Sequence, residues 1–211
     1  MKKKSRYPED WGDLPSVTEV LDCVPKAELI EWFKRTPYHE IKASSDKAKE
    51  IGTAFNDLID AHDKGLSITI ETPHGKEIAS AVKNYMEWRK LNDFNSIGSQ
   101  IQVIHRELEY VGTIDRLLEG EGGLFIVDWK VAKRLYLTNK MQVIAYKKAW
   151  EHMNKEKISG CILVRLDKEN ISFNPLTDVQ FVDDKDNAMF GCFADMLRFY
   201  KQYKLLDKQE E

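Results

Sequence analysis

The chain has 211 residues, 42% of them hydrophobic and 32% charged, with a formal net charge of −3 and a sequence pI near 6.0. That is long enough for one full core and too apolar for a disordered chain. The slightly acidic balance argues against a passive, globally basic coat for nucleic acid, though not against a local basic groove beside an acidic site.

Residues 1–15 carry Pro8, Gly12 and Pro15 and read as an extended arm. Ser16 or Thr18 is a candidate cap for a first helical turn through Val17, Val20 and Leu21. After Pro25, Ala27–Lys34 forms a second short helix with Leu29, Ile30, Trp32 and Phe33 as its apolar face. Ser44-Ser45-Asp46 is expected to open a longer helix to His62, with Ile51, Ala54, Phe55, Leu58 and Ile59 as its buried stripe and Gly65 as its stop. Lys76–Leu91 follows as another helix.

The period then changes to two. Gln100–Glu109 alternates, with Ile101, Val103, His105, Glu107 and Glu109 on one face, and Tyr110–Leu118 continues as a second strand. Gly120-Glu121-Gly122-Gly123 supplies the positive φ of a hairpin turn. Leu124–Lys130 is the apolar run of a central strand covered on both sides. Leu137–Met153 is helical and Ile158–Asp167 a strand. Lys168-Glu169-Asn170 makes a turn and Ile171–Phe173 a short returning strand. A long helix from Asp183 to about Leu206 closes the chain. This order predicts an α/β domain with a mixed sheet. The expected organisation is one domain over 1–211, with an arm and short helices to 43, a core over 44–206 and a charged tail over 207–211.

Cys23, Cys161 and Cys192 lie far apart with no CxxC pair, which argues against a zinc ribbon or an iron–sulfur cluster. All three are expected as buried thiols in a reducing compartment. MKKKSRYPEDWGD lacks the apolar core of a signal peptide, and no apolar run approaches the roughly 18 residues of a membrane span. A cytoplasmic chain is expected.

The chemistry concentrates around the glycine turn. Strand parity sets Val111, Thr113 and Asp115 on one face, and Asp128 with Lys130 on one face of the next strand. A carboxylate inside the apolar run Ile126-Val127-Asp128-Trp129-Lys130 is costly unless something binds it. An ion pair with Lys130 answers that cost, and so does a hard divalent cation. Asp115 on the neighbouring strand favours the cation. Gln142 and Tyr146, four apart, share a helix face just beyond and are suited to a phosphate or a base. Lys133 and Arg134 are further candidates for phosphate contact.

These pieces resemble the PD-(D/E)XK nuclease superfamily in its RecB-like exonuclease branch, common in phages. The matching segments are Gly112-Thr113-Ile114-Asp115, then Ile126-Val127-Asp128-Trp129-Lys130, then Gln142-Val143-Ile144-Ala145-Tyr146. Leu14-Pro15-Ser16-Val17-Thr18 with Pro25-Lys26 and Trp32 is similar to the opening of phage members and of mitochondrial genome maintenance exonucleases. The resemblance implies a restriction-endonuclease-like mixed sheet flanked by helices, with an N-terminal helical segment. It implies Mg²⁺ or Mn²⁺ held by Asp115, Asp128 and the Trp129 carbonyl, with Lys130 acting on the attacking water and Gln142 and Tyr146 on DNA. Branch members carry a Gly-x-x-x-His on the helix before the sheet. Gly52-Thr53-Ala54-Phe55-Asn56 stands there instead, so Asn56, and Asp60 one turn on, are the candidates for a second metal. A strand carboxylate near the site would be Glu109 or, next, Glu107. The implied activity is DNA exonuclease in phage recombination, repair or replication, alongside a recombination or single-strand-binding protein. The alternatives are a catalytically weakened nuclease fold that binds DNA or protein, and an interaction protein whose Asp128–Lys130 is only an ion pair.

Overall fold

The computed structural model describes residues 7–25, 27–67, 69, 71–167, 173–174 and 178–210. Two short helices, α1 (Val17–Leu21) and α2 (Ala27–Arg35), lead to the long α3 (Tyr38–Asp63) and to α4 (Gly75–Leu91). Strands β1 (Asn95–His105), β2 (Tyr110–Gly120) and β3 (Gly123–Val131) follow, then α5 (Leu137–Asn154), β4 (Gly160–Leu166), β5 (Val179–Val182) and α6 (Ala188–Glu210). The five strands lie in the order β1-β2-β3-β4-β5. Among the strand pairs of the described residues only β3–β4 is parallel, and α5 makes that crossover. The mixed α/β sheet flanked by helices is the architecture expected of a restriction-endonuclease-like fold.

Each face of the sheet has its own core. On the front, α1, α5 and α6 cover Val103, Leu117, Ile126 and Leu163 with Val20, Met141, Ala145, Phe193 and Leu197. On the back, α3 and α4 cover Leu118, Val127, Trp129 and Ile162 with Phe55, Ile59, Tyr85 and Trp88. Trp129 meets Tyr85 and Trp88 edge-on, with ring centroids 5.3 and 4.8 Å apart. Such aromatic pairs add about 1 kcal/mol each beyond burial and fix which face of β3 is the back. The neighbours of Trp129, Asp128 and Lys130, are thereby turned to the front.

The glycine hairpin forms as expected: β2 and β3 join through Glu121-Gly122, with φ +95° at Gly122 and +116° at Gly123. Other boundaries move. Helix α3 begins at Tyr38, straight after Pro37, and Ser44, Ser45 and Asp46 lie inside it, so the expected start there is corrected. Pro37 fixes the entry, and each of these polar residues costs an exposed helix only about half a kcal/mol. Strand β1 ends at His105, and residues 106–109 turn with Glu109 at φ +53°. No glycine or proline marks that turn. It is held by Lys201, whose Nζ donates to the Leu108 carbonyl at 2.9 Å and pairs with Glu109 at 2.7 Å.

The turn expected at Lys168-Glu169-Asn170 lies outside the described residues, as do Ile171 and Ser172 of the expected returning strand. Phe173 is buried but outside any strand, and the strand that pairs with β4 is Val179–Val182. Helix α6 starts five residues later than expected, because the Asp184 carboxylate accepts from the Met189 and Phe190 amides, both at 2.9 Å. Of the cysteines only Cys161 is buried. Cys23 and Cys192 are exposed, which corrects the expectation of three buried thiols. Among the described residues, no helix is long and apolar enough to cross a membrane.

Candidate active site

The site begins where β2 and β3 part. Their ladder runs from Gly120↔Gly123 to Arg116↔Val127 and stops. One step further in the same register, Asp115 faces Asp128. Beyond that fork the N-terminal segment takes the place beside β2: the Val111 amide donates to the Pro15 carbonyl at 3.0 Å, and Ser16 bridges Val111 in parallel. Ser16 also caps α1 in a capping box with Glu19.

Asp128 is 1% exposed, while Asp115 and Lys130 are half-buried. The Lys130 ammonium donates to Asp128 Oδ1 at 3.1 Å and lies 2.8 Å from Oδ2. The contact to Oδ2 lacks hydrogen-bond geometry, so that buried oxygen has no hydrogen-bond donor. We take the pair as an ion pair with one satisfied oxygen. Burial pushes Asp128 up to about 7, with Lys130 opposing and the Asp115 carboxylate adding to the rise. Burial also pulls on the Lys130 ammonium, but Asp128 and Asp115 outweigh it and leave its pKa above the ordinary value.

A hydrogen-bonded line holds Lys130 from behind. Its Nζ donates to Gln142 Oε1 at 3.1 Å, and Gln142 Nε2 donates to Tyr146 Oη at 2.8 Å. Tyr146 is 4% exposed and belongs to the front core, so its ring offers no face to a base. In this structure its hydroxyl supports Gln142. Gly112 is what admits it: a Cβ there would stand 2.6 Å from Tyr146 Cε1.

The remaining candidates divide. Trp129 keeps its side chain in the back core, leaving only its backbone for the site. Lys133 and Arg134 are exposed in the loop after β3, with Arg134 4.7 Å over the Tyr136 ring. Glu107 and Glu109 sit in the β1–β2 turn, and Glu109 lies six residues, roughly 20 Å of strand, from Asp115. The structure does not bring them to the aspartate pair. Asn56 lies half-buried on α3, flanked by Phe55 of the back core. Asp60, its neighbour one turn on, is ion-paired with Arg116.

Two residues escaped the sequence reading. Arg116 is 1% exposed, pairs with Asp60 and lies 3.4 Å from Asp63, tying α3 to β2 beside Asp115. A charge inside Ile114-Asp115-Arg116-Leu117-Leu118 was the available signal. Gln100 donates from Nε2 to Asp115 Oδ1 at 3.3 Å. Nothing in the sequence marks it.

The donor set fits a hard divalent cation. It offers two facing carboxylates, one of them buried, and the Trp129 backbone carbonyl is the expected third group. Among the described residues, no three His, Cys, Asp or Glu side chains gather to hold a metal. A search of curated proteins found no match. The family model of the PD-(D/E)XK nuclease superfamily matches residues 28–204, spanning the whole fork and the line behind Lys130. The chain belongs to the PD-(D/E)XK nuclease superfamily.

Proposed function

We propose that the protein is a Mg²⁺- or Mn²⁺-dependent DNA exonuclease of the RecB-like, phage type. The observation that carries this reading is the fork, where Asp115 and Asp128 face each other with Lys130 held between Asp128 and Gln142. Asp115, Asp128 and the Trp129 carbonyl would hold the cation, which when bound supplies Lewis acidity to the phosphate and lowers the pKa of a water. Lys130 keeps its proton and places positive charge where the phosphate gains negative charge. Gln142 fixes the direction of that ammonium, and Tyr146 fixes Gln142. Lys133 and Arg134, exposed just past β3, would contact the DNA backbone.

The test is digestion of 5′- and 3′-labelled single- and double-stranded DNA, and of circular DNA, with Mg²⁺, Mn²⁺ or EDTA. The reading expects metal-dependent loss from ends and intact circles. Cleavage of circles would replace exonuclease with endonuclease. Asn56, which stands where branch members carry histidine and whose side chain makes no hydrogen bond among the described residues, favours one second reading: a weakened nuclease fold that binds DNA. Binding without cleavage in every metal would select it.

A further inference from the structure

We propose that Gln100 is a positioning residue for Asp115, an inference that rests on the nuclease reading above. In the β1–β2 register Ser99 pairs with Arg116 and Ile101 with Ile114, so Gln100 is the residue opposite Asp115. That position is missing from the ladder, and Gln100 adopts φ +50° in mid-strand. A non-glycine residue in the left-handed region is strained, and glutamine has no special tolerance for it. Glycine would meet the backbone requirement without strain. What glutamine adds is its side-chain amide, which donates to Asp115 Oδ1 at 3.3 Å. A carboxylate only accepts, so the amide must present its NH₂ group. The bond limits rotation of the Asp115 carboxylate, which faces Asp128 across the fork. Strain kept at the residue that orients a metal ligand is the pattern expected of a functional constraint.

The test compares the wild type with Gln100→Gly and Gln100→Met. Glycine removes the amide and the strain; methionine removes the amide and keeps the strain and the length. Melting in EDTA reads stability, Mn²⁺ calorimetry reads affinity, and nuclease rate against Mn²⁺ concentration reads function. The expected result is a Gly variant at least as stable as wild type and a Met variant no more stable. Both should bind Mn²⁺ at least about tenfold more weakly, with the rate largely recovered at saturating Mn²⁺. Wild-type Mn²⁺ affinity in the Gly variant, or affinity that follows melting temperature across the three proteins, overturns the proposal while leaving the nuclease reading intact. A wild type that neither binds Mn²⁺ nor cuts DNA overturns both.

Discussion

Gly112→Ala tests the line of contacts behind Lys130. The added Cβ would lie 2.6 Å from Tyr146 Cε1 and 2.7 Å from Cδ1. Ordinary contact begins near 3.4 Å, so one partner must move by about 0.8 Å. Tyr146 is buried in the front core and cannot swing into solvent. Overpacking of this kind costs about 1–3 kcal/mol, or roughly 4–8 °C in melting temperature for 2 kcal/mol at this chain length. The displacement passes to Gln142 through a 2.8 Å bond and to Lys130 through a 3.1 Å bond. A misplacement near 1 Å at a reacting group can cost about 10²-fold in rate. Thermal melts and kcat on labelled DNA measure the two effects. In a Tyr146→Leu background, where the ring is gone, Gly112→Ala should cost less than about 0.5 kcal/mol. A Gly112→Ala protein as stable and active as wild type would refute the packing argument.

Tyr146→Phe keeps the ring and removes the hydroxyl that Gln142 reaches; kcat should fall by about tenfold or less with KM unchanged. A raised KM would instead restore Tyr146 as a DNA contact. Arg116→Met removes the ion-pair partner of Asp60 and Asp63, of which Asp63 keeps the Tyr85 hydroxyl at 3.0 Å, and should destabilise by about 3 kcal/mol in urea melts; a neutral effect would show that the pairs hold nothing. Asp128 has a folded-state pKa of about 7, raised by burial from 3.8. Its stabilising contribution is therefore present below about pH 4 and lost as pH rises through about 7. In EDTA the stability difference between wild type and Asp128→Asn should shift against the wild type across that window. Taking the difference cancels His105, which burial lowers to about 4 and which acts in the opposite direction. A pH-independent difference would contradict the burial argument.

Asp115, Asp128 and Lys130 were legible because strands have a period of two and the glycine hairpin fixes their register. Gln142 was legible because it follows on the helix that must cross over to β4. The burial of Tyr146 was not: a face shared with Gln142 does not say which residue is buried, and Gly112 admits its ring from 34 residues away in sequence. Asp60 pointed to a metal only because helix phase does not reveal which side of the sheet a helix covers; its partner Arg116 lies on the back. The turn at Glu107 and Glu109 carried no glycine or proline and depends on Lys201 of α6. The left-handed Gln100 is a tertiary feature without a local signature.

The central claim is that the fork is a metal-dependent catalytic site. Its most direct measurement is the Mn²⁺-dependent loss of end-labelled DNA by wild type, Asp128→Ala and Lys130→Ala, each checked for folding by circular dichroism. The wild type should cleave with Mn²⁺ and not with EDTA, and neither folded variant should cleave. Full activity in both variants would contradict it.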